Sequence, residues 1–256
     1  NKIDASRVSP ASNLSQSISR AIAGIHSLPL ELVQSAGLPE FSPAENIRAR
    51  VSELDRAAQT GKVPVVLLSR WEQALEDVSL FRYQPVVIHG ALSGDAMLEQ
   101  DQNISGVIDW KNLQINDPAL DFAWLIPGGD QELIDAVLLN YQLARSGADS
   151  NIALRATLYS ELELAKWLLH GYTRRDAAVI EDAVQMLQDL AELATAGELI
   201  PLTQAQTPLA PAFIAESVEV EDIETVTVVS QSWSLDESDG VEDSTKPIPT
   251  QRDDLF

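Results

Sequence analysis

Cysteine is absent from this 256-residue chain, which removes disulfides, thiolate metal sites and a cysteine nucleophile together. Histidine is nearly absent: only His26, His89 and His170 occur, too few for a credible metal cluster. Base is scarce as well. Seventeen Lys and Arg face 39 Asp and Glu, a formal net charge of -22. Such a surface has little with which to neutralise phosphates, so nucleic acid is not an expected partner. No apolar run is long enough to span a bilayer, so no membrane partner is expected. With no charged-then-apolar leader, and nothing that demands an oxidising compartment, the expected location is the cytoplasm. A phosphate-binding loop is also missing, because Gly61-Lys62 lacks the upstream glycine of a P-loop.

What is present is a chain long enough to bury a sizeable core, with a mean hydropathy of -0.04 that suits a globular protein. Leu14, Ile18, Ile22 and Ile25 recur at helical spacing and predict a helix over 13–27, with Asn13 as N-cap. After a Pro-containing loop, Ser42-Pro43 opens a second helix to about Gln59, where Pro43 suits the first turn and Glu45 its dipole. Residues 64–78 read as a third, although VVLL alone also fits a strand. From 85 to 110 short apolar runs replace the helical period. VVIH, AMLEQ and ISGVIDW read as strands, the last two forming a hairpin around Asp-Gln-Asn. Helical periodicity returns over 117–126, 130–145, 150–172 and 174–196 and stops at Gly197.

The expected class is therefore α+β, mostly helical, with a small β-hairpin insert. Its domains are a lobe over 1–200 and a tail over 201–256. That tail holds twelve acidic residues against two basic ones and no helical face, and is expected to be disordered. Within it IETVTVV has strand propensity that suits addition to a sheet edge on a protein partner.

Chemistry concentrates in VVIHGALSGDAMLEQDQNISGVIDWKNLQINDPALDFAWL, residues 86–125. Phosphoryl transfer to an alcohol needs a carboxylate to orient or deprotonate the hydroxyl, a second ligand for Mg²⁺, and an Asp that bridges metal and phosphates. A loop follows VVIHG, and a later strand ends in Ile108-Asp109-Trp110, where an acid exposed into a cleft is well placed to ligate a metal.

His89-Gly90, then Gly106-Val107-Ile108-Asp109-Trp110, then Asp117-Pro118-Ala119-Leu120-Asp121-Phe122-Ala123 resemble the aminoglycoside and macrolide phosphotransferase family. These are small-molecule kinases of protein-kinase-like fold. Their C-terminal lobe carries H-G-D-x-x-x-x-N, a hairpin, I-D-W or I-D-F, and D-P-x-x-D-hydrophobic-A. The likeness extends more loosely through Ile25-His26-Ser27-Leu28-Pro29 and ELELAKWLLHG at 161–171, covering roughly residues 10–200.

The resemblance implies that lobe's fold, ATP and Mg²⁺ as cofactors, and a small-molecule alcohol or amino sugar as ligand. It also places the family's catalytic Asp on Ala91, its metal-binding Asn on Ala96 and its metal-bridging Asp on Asp109. Two of the three chemical groups are then methyl groups. Asp95, directly before Ala96, is the candidate substitute. Asp117 is expected to cap the following helix, Asp121 to hold the loop by hydrogen bonds, and His89 to pack behind the loop on backbone. Trp110, Trp124 and Trp167 are read as core rather than as a substrate platform. A small lobe with its glycine-bearing hairpin and strand lysine is not evident, since no V-x-x-K strand precedes the first helix. With Asn rather than Met at residue 1, the chain is expected to start after such a lobe.

Three readings stay open at this level. The first is an impaired phosphotransferase, the second an active one of altered mechanism working through Asp95 or Asp109, and the third a scaffold that engages a protein partner through its acidic tail.

Overall fold

The computed structural model describes residues 2–145, 147 and 149–203. The acidic stretch from 204 on, with IETVTVV, lies outside the described residues. Among those residues the fold is mostly helical, with two short antiparallel strand pairs.

Helix α1 (Asn13–His26) buries Ile18, Ile22 and Ile25, as its spacing predicts. Its cap is Ser12, not Asn13. Ser12 takes the extended backbone that a cap needs, and its hydroxyl accepts from Ser15 N at 3.2 Å. The loop that follows contains a short helix, α2 (Glu31–Ser35), that the sequence does not announce. Helix α3 (Pro43–Ala58) begins in a reciprocal capping box. Glu45 N donates to the Ser42 hydroxyl, and the Glu45 carboxylate accepts from Ser42 N. Helix α4 (Val65–Glu76) resolves the VVLL ambiguity in favour of a helix, whose inner face buries Leu67, Trp71 and Leu75.

Strand β1 (Val86–Ile88) does not join the hairpin. It pairs with β4 (Gln114–Asn116), Ile88 lying opposite Gln114. The hairpin itself is β2 (Met97–Gln100) and β3 (Asn103–Val107), turned through Asp101 and Gln102 at φ 51° and 62°. Positive φ at both central residues gives the turn twist that suits a two-residue hairpin. β3 is shorter than ISGVIDW implies. The chain leaves the strand after Val107, and Asp109 takes a left-handed conformation at φ 68°.

The predicted helix over 117–126 is a 3-10 helix, Pro118–Leu125. Its buried apolar residues Ala119, Phe122 and Leu125 recur every third position, which matches three residues per turn rather than 3.6. Helices α5 (Gln131–Ala144), α6 (Ile152–Arg174) and α7 (Ala177–Ala196) complete the lobe. α7 stops at Gly197, φ 74°. α1 packs on α5, while α6 packs along α7 and over the 3-10 segment.

Trp71, Phe122 and Tyr141 are among the largest fully buried side chains. Trp110 and Trp167, read as core, are instead 39% and 38% exposed. Trp167 stacks on His170 and Trp110 meets His89 at a tilt, and each satisfies its indole N–H locally, on the Asp182 carboxylate or Val107 O. No helix among the described residues is long and apolar enough to cross a membrane.

The segment before α1 lies against the loop that follows β1. Ile3 N donates to Gly94 O at 3.0 Å, and Lys2 pairs with Asp95 at 2.9 Å. A Cβ on Gly94 would collide with the Ile3 carbonyl. Because the obstacle is backbone, Gly94→Ala is expected to cost about 1–3 kcal/mol, measured by chemical denaturation.

Candidate functional site

Strand β1 delivers the chain into His89 and Gly90. Gly90 turns at φ 80°, and a side chain there would strike the Asn112 carbonyl. The turn is held from below by Asp121, whose two carboxylate oxygens accept from His89 N at 2.8 Å and Gly90 N at 2.9 Å. Asp121 is wholly buried and also contacts His26 Nε2 at 3.2 Å. Since an ionised carboxylate can only accept, His26 donates to it through Nε2, and its Nδ1 lies 2.8 Å from the Tyr141 hydroxyl. His89 lies behind the loop, with Nε2 on Ile108 O at 2.9 Å.

A second buried carboxylate anchors the other end of the same 3-10 turn. Asp117 caps it by accepting from Ala119 N, and receives Arg155 Nε at 2.7 Å, Arg155 Nη2 at 3.1 Å and the Tyr159 hydroxyl at 2.6 Å. Both side chains of the ion pair are fully buried. Arg155 also binds Asp149 and the Leu80 carbonyl, and stacks over Tyr83 at 4.7 Å. Burial works against its charge, but hydrogen bonds to Asp149 and the field of Asp117 prevail, and hold it protonated more firmly than an ordinary arginine. Burial, reinforced by Asp117, raises the Tyr159 hydroxyl far above its ordinary value.

Ala91 follows Gly90 and is exposed, on a cleft of about 560 Å³. Gln114 and Asn116 of β4 line it, as do Tyr159, Glu163 and Lys166 of α6. Arg50 of α3 and the half-buried Trp124 line it too. Ala96 is buried, and its carbonyl accepts from Ile108 N at 2.9 Å. The loop therefore runs beside Asp109, although two of its positions carry only methyl groups.

Asp109 is about half exposed and pairs with Lys111 at 2.9 Å. Asp95 is exposed and pairs with Lys2. Neither acid lines the cleft at Ala91. Among the described residues no cluster of three or more potential metal-binding side chains occurs.

Reasoning from sequence alone passed over His26 with Tyr141, Arg155 with Tyr159, and the cleft residues Arg50, Glu163 and Lys166. Arg155 left a signal, because it sits on the apolar face of α6 between Ile152 and Leu158. Arginine in such a place is almost never buried without a partner.

Arg155→Ala would strand two carboxylates, and a loss of about 3–5 kcal/mol in unfolding free energy is expected. A pH dependence follows from Tyr141. Burial pushes its hydroxyl from 10.0 up to about 12 against the nearby Arg145, with Asp149 and Asp121 adding to the rise. Between those values the folded state keeps a proton that the unfolded chain gives up, so stability falls as pH rises from about 10 to 12. Tyr141→Phe is expected to make that fall shallower in denaturation series across the same range.

The profile of the phosphotransferase enzyme family matches residues 4–155. No curated protein sequence matches the chain. Solved structures do. The chain is similar to the apoenzyme of macrolide 2'-phosphotransferase MphH from Brachybacterium faecium, with TM-score 0.63 and 24% identity over 71% of this chain and 61% of that one. It is also similar to a macrolide 2'-phosphotransferase type I, with TM-score 0.64 and 25% identity over 70% and 60%. The GDP complex of aminoglycoside 2'-phosphotransferase-IIIa matches with TM-score 0.57 and 21% identity over 73% and 64%. The chain thus spans about three-fifths of the length of these structures. A family profile laid over more than half of its residues, on a fold shared with kinase-like phosphotransferases, means that the chain belongs to the phosphotransferase enzyme family.

Proposed function

We propose that this protein is a catalytically impaired phosphotransferase, a lobe that binds a small hydroxylated ligand in the cleft at Ala91 without transferring phosphate to it. The observation that carries this reading is Ala91 itself, exposed on the cleft where the family's motif has its proton-accepting Asp. A methyl group neither orients nor deprotonates a hydroxyl. Positioned proton transfer is worth about 10²–10⁴-fold, so its loss raises the barrier by about 3–5 kcal/mol.

Neither Asp95 nor Asp109, the two substitutes that the sequence offers, lines the cleft. Asp95 points to Lys2 and lies off the cleft. Glu163 does line the cleft, but both its oxygens receive Lys166, at 2.9 and 3.1 Å.

The residues also fit Mg²⁺ poorly. Asp109 supplies one carboxylate, while Ala96 presents a methyl where the motif has an amide, and a hard cation needs several oxygen ligands. Leu98 of the hairpin and Ile108, directly before Asp109, are exposed apolar side chains.

In a nucleoside diphosphate-release assay with ATP or GTP, Mg²⁺ and a macrolide or aminoglycoside acceptor, no acceptor-dependent release is expected. Acceptor-dependent turnover that Asp109→Ala abolishes would sink the proposal. Ala91→Asp combined with Ala96→Asn is expected to strengthen Mg²⁺-dependent ATP binding by calorimetry, and no gain would count equally against it.

A further inference from the structure

The cleft does not share the acidity of the chain. Over the whole sequence acids outnumber bases 39 to 17. The residues lining the cleft at Ala91 include two bases, Arg50 and Lys166, and one acid, Glu163; Lys166 pairs with Glu163, and Arg50 with Glu53 beside the cleft. The remaining polar groups are amides and hydroxyls, among them Gln114, Asn116 and Ser160. Amide and hydroxyl groups both donate and accept, which suits a neutral polyol, and they add no net charge.

Arg50 is placed to meet an incoming oxygen. It stands in the second turn of α3 and pairs through Nη1 with Glu53 at 2.7 Å, while its Nε is shielded and without a partner. Turning the guanidinium toward the cleft would exchange one ion pair, that with Glu53, for the ligand's oxygen, and would leave no satisfied Nε behind. A planar guanidinium with several donors is the side chain best matched to a carboxylate or phosphate. A polycationic ligand entering the same space would meet Arg50 directly. It would also have to compete with Lys166 for the Glu163 carboxylate.

Resting on the reading of this cleft as a ligand site, we infer that its ligand is a neutral or anionic hydroxyl compound, such as a sugar or a sugar acid, and not a polycationic amino sugar. Arg50 and Lys166 set that preference. The two side chains belong to different helices, so the selectivity depends on how α3 and α6 are brought together.

The test uses three sugars of equal size and different charge, glucuronate, glucose and glucosamine, titrated into the full chain at low salt by calorimetry or saturation-transfer NMR. Glucuronate is expected to bind about fivefold or more tightly than glucosamine, the ratio given by one exposed charge contact. The preference should weaken as salt is raised. Arg50→Gln with Lys166→Gln is expected to abolish the preference while glucose binding persists, and Glu163→Gln, which frees Lys166, is expected to enlarge it. If glucosamine binds as tightly as glucuronate or better, the inference falls and the ligand-site reading stands. If none of the three binds, the ligand-site reading falls, and the inference with it.

Discussion

The buried pair of Asp117 and Arg155 is the contact on which the site depends. Two charges with no solvent exposure survive because nearly every lone pair and donor is used: Asp117 holds Arg155, Tyr159 and the first turn of the 3-10 helix, and Arg155 reaches Asp149 and the Leu80 carbonyl. Desolvating such a pair costs several kcal/mol per ion, so it adds little net stability compared with an apolar pair. It defines position instead. It ties the end of β4 to the middle of the lobe and to α6, and so sets the start of the turn that carries Asp121.

From Asp121 the constraint passes to the loop. Its two oxygens hold the amides of His89 and Gly90, and His26 and Tyr141 support it from behind. None of these bonds involves the side chain at position 91 or 96. The path of the loop therefore does not depend on the side chains at these two positions, where alanine stands. The left-handed backbone of Asp109 belongs to the same pattern, since such conformations persist where surrounding structure imposes them and gather at functional sites.

Much of this was legible along the chain. The helical stripes of α1, α5, α6 and α7, the Ser-Pro opening of α3, the Gly stop of α7 and the hairpin turn all follow from local periodicity and capping chemistry. The phosphotransferase likeness was legible because its motifs lie close together in sequence. What escaped was non-local. The pairing of β1 with β4 joins segments on either side of the hairpin, and the 3-10 turn looked helical because a run of eight residues is too short to separate periods of 3.0 and 3.6 by eye. Trp110 and Trp167 misled because an indole can cover a histidine at the surface as well as fill a core.

By itself the sequence determined the helical character of the lobe, the family and the alanines at positions 91 and 96, because each is written in residue type and short spacing. Only the tertiary structure decided that Ala91 opens onto a cleft, that Asp95 lies elsewhere beside Lys2, and that Arg50 and Lys166 face that cleft in an acidic protein. The reason is physical: proximity between α3, α6 and the loop after β1 comes from packing around Asp117 and Arg155, and neither composition nor local periodicity encodes which distant side chains that packing brings together.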